Sequence, residues 1–362
     1  MPEQPQRDLE LTAKQLAPWL QERLPDARNL EVIGLAKPSA TGFSNETLLF
    51  DLHWDERGKA REAGYVVRIE PTGPGVFPEY DLSLQYNIMD ILGKKTQVPV
   101  PALLGIEDDA SVLGAAFYVM ERVEGRIPPD NPPYHTEGWL KEAPKAEQQK
   151  VWWSCLDTMV DIHKLDWEDL GMGFLECKSP GETHLTKQLN SMASYYDWAA
   201  RGIPNPTIEP ALRWLVENQP EEPETPSLVW GDSRIGNMIF RQGECVAVLD
   251  WEMAVLGDPE QDLAWWLFLD RHHSEGLDTP RIPGLPSRAE TVARYEKKMG
   301  RSVENLDYYE IFAAAHFSAI MMRVAQQLVH FGFMPEENGL AFERNNVVTR
   351  LLAGLLELPT PE

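Results

Sequence analysis

Three oxygen-bearing side chains lie on or beside a short polar loop between two apolar segments. Asp232 and Asn237 are five residues apart in the loop, and Asp250 ends the apolar segment that follows. If the two apolar segments form a β-hairpin, these side chains converge at one of its ends. Phosphoryl transfer requires such a set, because one group orients the attacking hydroxyl while two oxygen ligands hold Mg2+ on a nucleotide. A plain hairpin with a polar turn is the structural alternative, since Gly, Asp, Ser and Asn are common turn residues.

The same stretch resembles a known family. From Val229 the chain runs Val-Trp-Gly-Asp-Ser-Arg-Ile-Gly-Asn, and a second apolar segment then ends at Asp250. This is similar to the aminoglycoside phosphotransferase family, the small-molecule branch of the kinase-like fold, which carries His-Gly-Asp-x-x-x-x-Asn before a strand that ends in Asp. Protein kinases have the same Asp-to-Asn spacing in their catalytic loop. The resemblance extends from about Val32 to the C-terminal helices, and the Gly-Asp-x-Arg-x-x-Asn form resembles the branch fused to some acyl-CoA dehydrogenases.

The resemblance implies roles for the loop residues. Asp232 would act as the catalytic base or orient the acceptor hydroxyl, and Asn237 and Asp250 would hold Mg2+. Arg234 would stabilise the transferring charge, with a structural salt bridge in the loop as the alternative. Trp230 departs from the family pattern, which commonly has His at this position. Because Trp donates only through its indole N–H, the support of the loop backbone must be arranged differently.

The resemblance also places a nucleotide site in the N-terminal third. Residues 41–46 lie between two predicted strands, where a kinase has its phosphate-covering loop. Gly42 allows close approach of the backbone, and Ser44 and Asn45 offer donors to phosphate oxygens. A plain hairpin turn is the alternative. Arg68 takes the position of the kinase β3 lysine that contacts the α- and β-phosphates, unless it is an edge-strand residue that extends to solvent.

Two further positions complete the predicted nucleotide site. Glu121 and Val123 match the hinge whose backbone would bind the purine edge. Gln85 stands where the family has a glutamate that pairs with the cation, and a neutral amide orients Arg68 without neutralising it. The expected co-substrate is ATP, with GTP left open, and the expected metal is Mg2+.

Composition limits the class of protein. The 362 residues are 43% hydrophobic and 25% charged, as in ordinary soluble domains, and the formal net charge is −24. Nucleic acid is therefore not an expected partner, because phosphate backbones require a basic surface. The three cysteines are far apart and predict neither disulfides nor a structural zinc site. No membrane span or apolar signal segment is recognised, so we expect a cytoplasmic protein, and the oligomeric state stays open.

Hydrophobic periodicity predicts strands in the first third of the chain and mainly helices after it. With this order of elements, the resemblance implies an α+β, bilobal, protein-kinase-like fold with a β-rich N-lobe and a mainly helical C-lobe. We expect a nucleotide-binding lobe over residues 1–122 and a catalytic and acceptor-binding lobe over residues 123–362. A Pro-rich linker or lid is predicted over residues 126–146. The predicted N-lobe elements are a helix at 9–24, strands at 31–35, 47–54 and 65–69, a helix at 80–92, an extended segment from residue 98 and a strand at 115–121. The predicted C-lobe helices cover residues 148–165, 186–201, 210–218, 262–270, 288–298, 306–330 and 338–356.

The acceptor is not specified by any motif. Aromatic and Met residues on the C-terminal helices, Trp265 and Trp266 among them, are either core residues or the wall of an acceptor pocket for a molecule with an apolar body. We therefore expect a small-molecule kinase that phosphorylates a metabolite hydroxyl, with a hydroxyacyl-CoA as the candidate acceptor. An aminoglycoside phosphotransferase is the first alternative. A nucleotide-binding pseudokinase scaffold is the second, given the departures at Trp230, Arg68 and Gln85.

Overall fold

The structure, a computed structural model, describes residues 7–38 and 45–361. The chain divides into two compact units, one ending at Glu124 and the other beginning at Gly125, two residues beyond the predicted boundary. The first unit contains the large sheet and the second is mainly helical, which confirms the predicted α+β kinase-like class. No helix in the described part of the chain combines the length and the hydrophobicity that crossing a lipid bilayer requires.

The first unit is an antiparallel five-stranded sheet in the order β1-β2-β3-β5-β4. Its elements are α1 (Leu9–Arg23), β1 (Arg28–Ala36), β2 (Glu46–Glu56), β3 (Lys59–Ile69), α2 (Leu82–Lys95), β4 (Leu103–Glu107), α3 (Ala110–Leu113) and β5 (Phe117–Glu121). The predicted order of strands and helices is confirmed, but β3 begins six residues earlier than expected. Arg57 and Gly58 both have positive φ, 50° and 73°, and this two-residue turn lets β2 and β3 pair along their whole length.

One face of this sheet packs against α1. Leu16, Trp19 and Leu20 of α1 are buried, and the Trp19 ring lies 4.9 Å from the ring of Phe117 on β5. Val67 and Ile69 on β3 belong to the same core and are fully buried. Because successive side chains of a strand point to opposite faces, Arg68 projects from the other face of the sheet.

The second unit is built from helices and two small antiparallel sheets, in which β6 pairs with β9 and β7 pairs with β8. Its elements are α4 (Trp139–Glu142), α5 (Lys145–His163), α6 (Trp167–Leu170), α7 (His184–Ala200), α8 (Ile208–Glu217), β6 (Ser227–Val229), β7 (Met238–Arg241), β8 (Glu244–Val248), β9 (Val255–Gly257), α9 (Glu260–His273), α10 (Arg288–Met299), α11 (Leu306–His330), α12 (Glu336–Arg344) and α13 (Val347–Leu355). Helix α9 lies in the interior, packed against α11. Trp266 of α9 is a core residue, with its ring 4.2 Å from that of Trp152 on α5.

The prediction of a linker or lid at residues 126–146 is wrong. The segment is packed into the second unit through Tyr134 and His135, both about 1% exposed. The Tyr134 hydroxyl donates to Asp270 Oδ1 over 2.8 Å, and His135 Nε2 lies 3.0 Å from the same oxygen. His135 Nδ1 accepts from the backbone N–H of Ile282 at 3.1 Å. Prolines restrict regular secondary structure over residues 128–133, but buried polar side chains hold the segment in place.

The single C-terminal helix predicted over residues 338–356 is also wrong, because the structure has two helices, α12 and α13. The break lies at Asn345 and Asn346. The Asn346 side chain accepts from the backbone N–H groups of Val348 and Thr349, and Thr349 Oγ1 accepts from the Asn346 backbone N–H, which forms a capping box. Asn favours this conformation over a helix interior, because its short side chain replaces a backbone hydrogen bond.

Replacing Asn346 with Ala should lower the free energy of unfolding by about 1–2 kcal/mol, because two buried N–H groups lose their acceptor. Urea unfolding followed by circular dichroism measures the change. Asn338→Ala on the exposed surface of α12 is the matched control and should change stability by less than about 0.5 kcal/mol. Equal stability of the two variants would contradict the assigned cap.

Candidate functional site

The loop of residues 230–237 joins β6 to β7 and carries three of the predicted site residues. It begins after β6, ends in a short 3-10 turn over Ile235–Asn237 and continues into β7. The backbone N–H of Leu249 donates to the carbonyl oxygen of Asn237 over 2.9 Å. Asp250 follows directly, so the structure brings it beside Asn237 and the loop.

The Asp232 carboxylate is held by three donors. Its Oδ1 accepts from the indole N–H of Trp265 at 2.9 Å and from Arg234 Nε at 3.2 Å. Its Oδ2 accepts from Asn237 Nδ2 at 2.6 Å and from the same Arg234 Nε at 3.0 Å. A carboxylate offers about four acceptor positions in its plane, and these contacts use them. The orientation of Asp232 is therefore fixed by its neighbours.

The sequence predicts Trp265 as a residue of either the core or a pocket wall. It does not predict the hydrogen bond from Trp265 to Asp232. The side chain is only 4% exposed. Its contact with Asp232 depends on the position of α9 across the loop, which periodicity does not reveal. Only the pair of adjacent tryptophans on one helix pointed to an unusual position, and Trp266, the other member, belongs to the core.

Arg234 lies between two carboxylates. Besides its contact with Asp232, its Nη1 donates to Asp130 Oδ2. Burial lowers the pKa of Arg234, but the charges of Asp232 and Asp130 outweigh burial and raise that pKa above its ordinary value, with a smaller contribution from Asp250. The guanidinium is therefore always charged. The sequence analysis missed Asp130, and the one signal available was its position between two Pro-Pro pairs.

The orientation of the Asn237 amide is fixed by hydrogen bonds from its nitrogen. Its Nδ2 donates to the backbone carbonyl of Asp232 at 3.0 Å as well as to the Asp232 carboxylate, so Oδ1 is directed away from these acceptors. No group of three or more His, Cys, Asp or Glu within residues 7–38 and 45–361 is placed to hold a metal ion. Asn237 and Asp250 supply two hard oxygen ligands, a set that suits a Mg2+ ion whose remaining ligands are phosphate and water.

Trp230 supports the backbone next to Asp250. Its indole N–H donates to the carbonyl oxygens of Leu249 at 2.9 Å and Asp250 at 3.1 Å, and the side chain is 1% exposed. Asp250 has a positive φ of 55°, a conformation that a non-glycine residue keeps only when its surroundings fix it. The tryptophan that departs from the family pattern thus holds the turn that presents Asp250.

Asp262 of α9 braces the loop from inside. Its Oδ2 accepts from the backbone N–H of Trp230 at 2.7 Å, and its Oδ1 accepts from that of Gly231 at 2.8 Å. His163 Nε2 lies 2.9 Å from Asp262 Oδ2, and His163 Nδ1 lies 2.8 Å from the Tyr295 hydroxyl. His163 is therefore a buried, hydrogen-bonded core residue.

The predicted nucleotide-binding residues of the first unit are only partly described. Gly42 and Ser44 lie outside the described residues. Asn45 is buried immediately before β2. Arg68 Nη1 lies 3.4 Å from Thr47 Oγ1 on the neighbouring strand. Nothing tests the nucleotide roles of these residues, and they stay predictions.

The helix and hinge positions show specific contacts. Gln85 is buried on α2, and its Oε1 accepts from the Tyr118 hydroxyl at 3.4 Å. Glu121 ends β5, and its backbone N–H donates to the carbonyl oxygen of Ala102 at 2.8 Å. The purine-binding role of Glu121 stays a prediction. Val123 follows in the connection to the second unit.

Comparison with known proteins identifies the family. Residues 36–295 match the model of the phosphotransferase enzyme family. The chain belongs to this family. The phosphotransferase is 28% identical over 298 residues to the Arabidopsis thaliana protein named probable acyl-CoA dehydrogenase IBR3, a match that covers 77% of this chain and 34% of the relative. It is 32% identical over 203 residues to acyl-CoA dehydrogenase family member 11 of Gallus gallus, covering 56% of this chain and 24% of the relative. The matches thus span between about a quarter and a third of the relatives' own length.

Solved structures share the fold of the phosphotransferase. A protein of Ralstonia eutropha JMP134 described as an aminoglycoside phosphotransferase superimposes with a TM-score of 0.66 and 23% identity, over 94% of this chain and 96% of that one. A thermostable mutant of aminoglycoside phosphotransferase APH(4)-Ia, solved as a ternary complex with ADP and hygromycin B, gives a TM-score of 0.54 and 16% identity, over 95% and 98% of the two chains. These likenesses show the kinase-like fold.

At Gly231 the loop backbone leaves no room for a side chain. The φ of Gly231 is +93°, and a Cβ atom would overlap the carbonyl oxygen of Met253. Gly231→Ala should therefore lower the free energy of unfolding by about 1–3 kcal/mol. Gly354→Ala, in α13 with open space around it, is the control and should be neutral or stabilising by up to about 1 kcal/mol. Chemical denaturation of both variants measures the difference, and an unchanged Gly231→Ala variant would refute the tight fit of the loop.

Proposed function

We propose that this phosphotransferase moves the γ-phosphoryl group of ATP to a hydroxyl of a small metabolite, with a hydroxyacyl thioester such as a hydroxyacyl-CoA as the acceptor class. The observation that carries the proposal is the joint arrangement of Asp232, Asn237 and Asp250. One carboxylate is fixed in orientation by its hydrogen bonds, and an amide and a second carboxylate, the oxygen types that bind a divalent ion, follow on the same loop and just after β8. Phosphoryl transfer depends mainly on such positioning and on charge stabilisation.

The chain's own residues divide the work of the reaction. Asp232 orients the acceptor hydroxyl and accepts its proton as the new P–O bond forms. Arg234, permanently charged, stabilises the negative charge that spreads over the equatorial oxygens of the transferred group. Asn237 and Asp250 would hold Mg2+, which when bound neutralises part of the charge on the nucleotide phosphates.

The nucleotide is assigned to residues of the first unit. The ADP in the APH(4)-Ia complex supports a nucleotide co-substrate for this fold. Arg68 would contact phosphate oxygens through a guanidinium that forms paired hydrogen bonds. The Glu121 carbonyl and the Val123 backbone would bind the purine edge, and Gly42, Ser44 and Asn45 would cover the phosphates.

Aromatic side chains next to Asp232 favour an acceptor with an apolar body. The Trp265 ring packs against Phe317 and His316, with 5.8 Å between ring centroids in each case. Burial lowers the pKa of His316 to about 4, so its imidazole is neutral at pH 7. Arg323 lies 3.9 Å over the Trp198 ring and supplies a positive charge on the same helix as Phe317. An apolar chain with an anionic carrier suits these groups, and the acyl-CoA dehydrogenase relatives support that class.

The purified protein with Mg-ATP should phosphorylate at least one hydroxyacyl-CoA in a panel that also contains aminoglycosides and amino alcohols. ADP release by a coupled assay and mass spectrometry of the product measure the reaction. Omitting Mg2+ is the control and should abolish turnover. Phosphorylation of aminoglycosides alone would replace the proposed acceptor class, and nucleotide binding without any product would indicate a scaffold.

Two alanine substitutions should separate the roles of the acids. Asp232→Ala should lower turnover by roughly 10²–10⁴-fold with nucleotide affinity retained, because Asp232 contacts the acceptor. Asp250→Ala should lower turnover and also weaken Mg-nucleotide binding, because it removes a metal ligand. Steady-state kinetics and calorimetric titration with Mg-ADP measure both effects. Asp197→Ala, an exposed carboxylate on α7, is the control. Wild-type turnover in either site variant would overturn its assigned role.

A further inference from the structure

Asp130 forms an ion pair with Arg234 for which the loop leaves specific room. Asp130 Oδ2 accepts from Arg234 Nη1. The carboxylate lies against Gly236, where an added Cβ would come within 2.6 Å of Oδ2 and 2.7 Å of Oδ1. Any other residue at position 236 would therefore push the carboxylate out of this position, although Gly236 has an ordinary φ. The glycine is needed for the close approach of Asp130.

The backbone around Asp130 is held rigidly. Two Pro-Pro pairs flank the residue and restrict its conformations. Tyr134 and His135 follow the second Pro-Pro pair, and both are hydrogen-bonded to Asp270 Oδ1. The other oxygen of Asp270 accepts from Arg281 Nε at 2.6 Å. A carboxylate on such a support holds its partner at a defined place, unlike a carboxylate on a mobile surface chain.

The hydrogen bonds of Asp232 occupy the positions that an acceptor hydroxyl needs, and the Asp130–Arg234 ion pair offers a way to free one of them. The four acceptor positions of the Asp232 carboxylate are used by Trp265, Asn237 and a shared Arg234 Nε. An acceptor hydroxyl must displace one donor before it can bond to Asp232. The shared Arg234 contact, 3.0 and 3.2 Å long, is the weakest of these because one N–H serves both oxygens.

Asp130 has the capacity to keep Arg234 when it leaves Asp232. Its Oδ1 is buried and makes no hydrogen bond within the part of the chain that the structure describes. This oxygen and Oδ2 together match the paired N–H groups of a guanidinium. Arg234 can therefore turn about its Asp130 contact into a two-bond arrangement, which frees Asp232 without letting the positive charge leave the site.

We propose that Asp130 is a positioning residue that acts through Arg234. It holds the guanidinium beside Asp232, withdraws it when the acceptor hydroxyl arrives and keeps its charge in place for the transferring phosphoryl group. The inference rests on the proposed phosphotransfer function. Asp130 itself contacts neither nucleotide nor acceptor in this scheme.

The contact is tested first without any assay of activity. In arginine-labelled protein, the Nη groups of Arg234 should show hindered rotation about the Nε–Cζ bond in nitrogen NMR spectra, assigned with Arg234→Lys. Asp130→Asn should abolish that hindrance. Asp157→Asn is the matched control, because Asp157 pairs with Arg294 through two hydrogen bonds, of 3.0 and 2.7 Å, in the same unit. It should leave the Arg234 signal unchanged, and an unaltered Arg234 signal in Asp130→Asn overturns the inference by itself.

A double-substitution cycle then tests the catalytic part. With ATP and the acceptor found in the panel, Asp130→Asn should lower kcat by on the order of 10- to 100-fold while KM for ATP changes by less than about twofold. In an Arg234→Gln background, Asp130→Asn should have almost no further effect, because the residue through which it acts is gone. Asp130→Glu, which keeps the charge, should recover part of the loss. Equal losses of kcat in both backgrounds, or an effect confined to KM for ATP, overturn the proposed role.

Thermal unfolding of every variant controls for misfolding. Asp130→Asn and Asp157→Asn should unfold within a few degrees of each other, and a collapse of Asp130→Asn alone that Asp130→Glu does not repair shows a structural role and overturns the inference. A wild-type protein that turns over neither an acceptor nor water defeats the proposed function and the catalytic part with it. The NMR result distinguishes that failure from failure of the Asp130–Arg234 contact.

Discussion

The bond between the Asp262 carboxylate and the backbone of the 230–237 loop is the interaction on which the site depends. Asp262 is fully buried, and burying a charge costs several kcal/mol unless hydrogen bonds compensate it. Two backbone N–H groups of the loop and His163 Nε2 surround that carboxylate. If the loop left its position, the buried Asp262 carboxylate would lose these two backbone donors and remain uncompensated in the core. Asp232 lies two residues after Trp230, so its backbone is held in place by the same bonds.

Helix α9 contacts the 230–237 loop through two side chains and a second segment through a third. Asp262 at its start holds the loop backbone, Trp265 one turn later holds the Asp232 carboxylate, and Asp270 near its end holds Tyr134 and His135. The last contact fixes the Pro-rich segment that carries Asp130. One buried helix thus positions the carboxylate of Asp232 and, through a separate segment, the acid that pairs with Arg234. Packing of α9 against α11 makes this helix a rigid support.

The charges at the site are arranged around Arg234. Asp232 and Asp130 both contact it, and Asp250 is near enough to add to the field. The positive charge of Arg234 reduces the repulsion between these acids. Gly231 and Gly236 make the arrangement possible, since the backbone or the acid approaches each of them more closely than a side chain permits. Trp230 also stabilises the arrangement, because its indole N–H donates to the carbonyl oxygen of Asp250.

Local signals in the sequence determined the elements and the chemistry of this protein. The long helix α11 was predicted with its observed ends, because the helical period is a property of neighbouring residues. The spacing of Asp232, Asn237 and Asp250 indicated phosphoryl transfer, because these residue types are the ones that bind Mg2+. Only the tertiary structure decided that Trp265 and Asp130 meet the loop, since 33 and 104 residues separate the partners in those contacts. The break of the last helix at Asn346 rests on a local capping box with Thr349, a short-range signal that the helical periodicity conceals. The tertiary structure decided that residues 126–146 are packed, because Tyr134 and His135 bond to Asp270. Hydrogen bonds between distant segments settle such features, and no pattern along the chain encodes them.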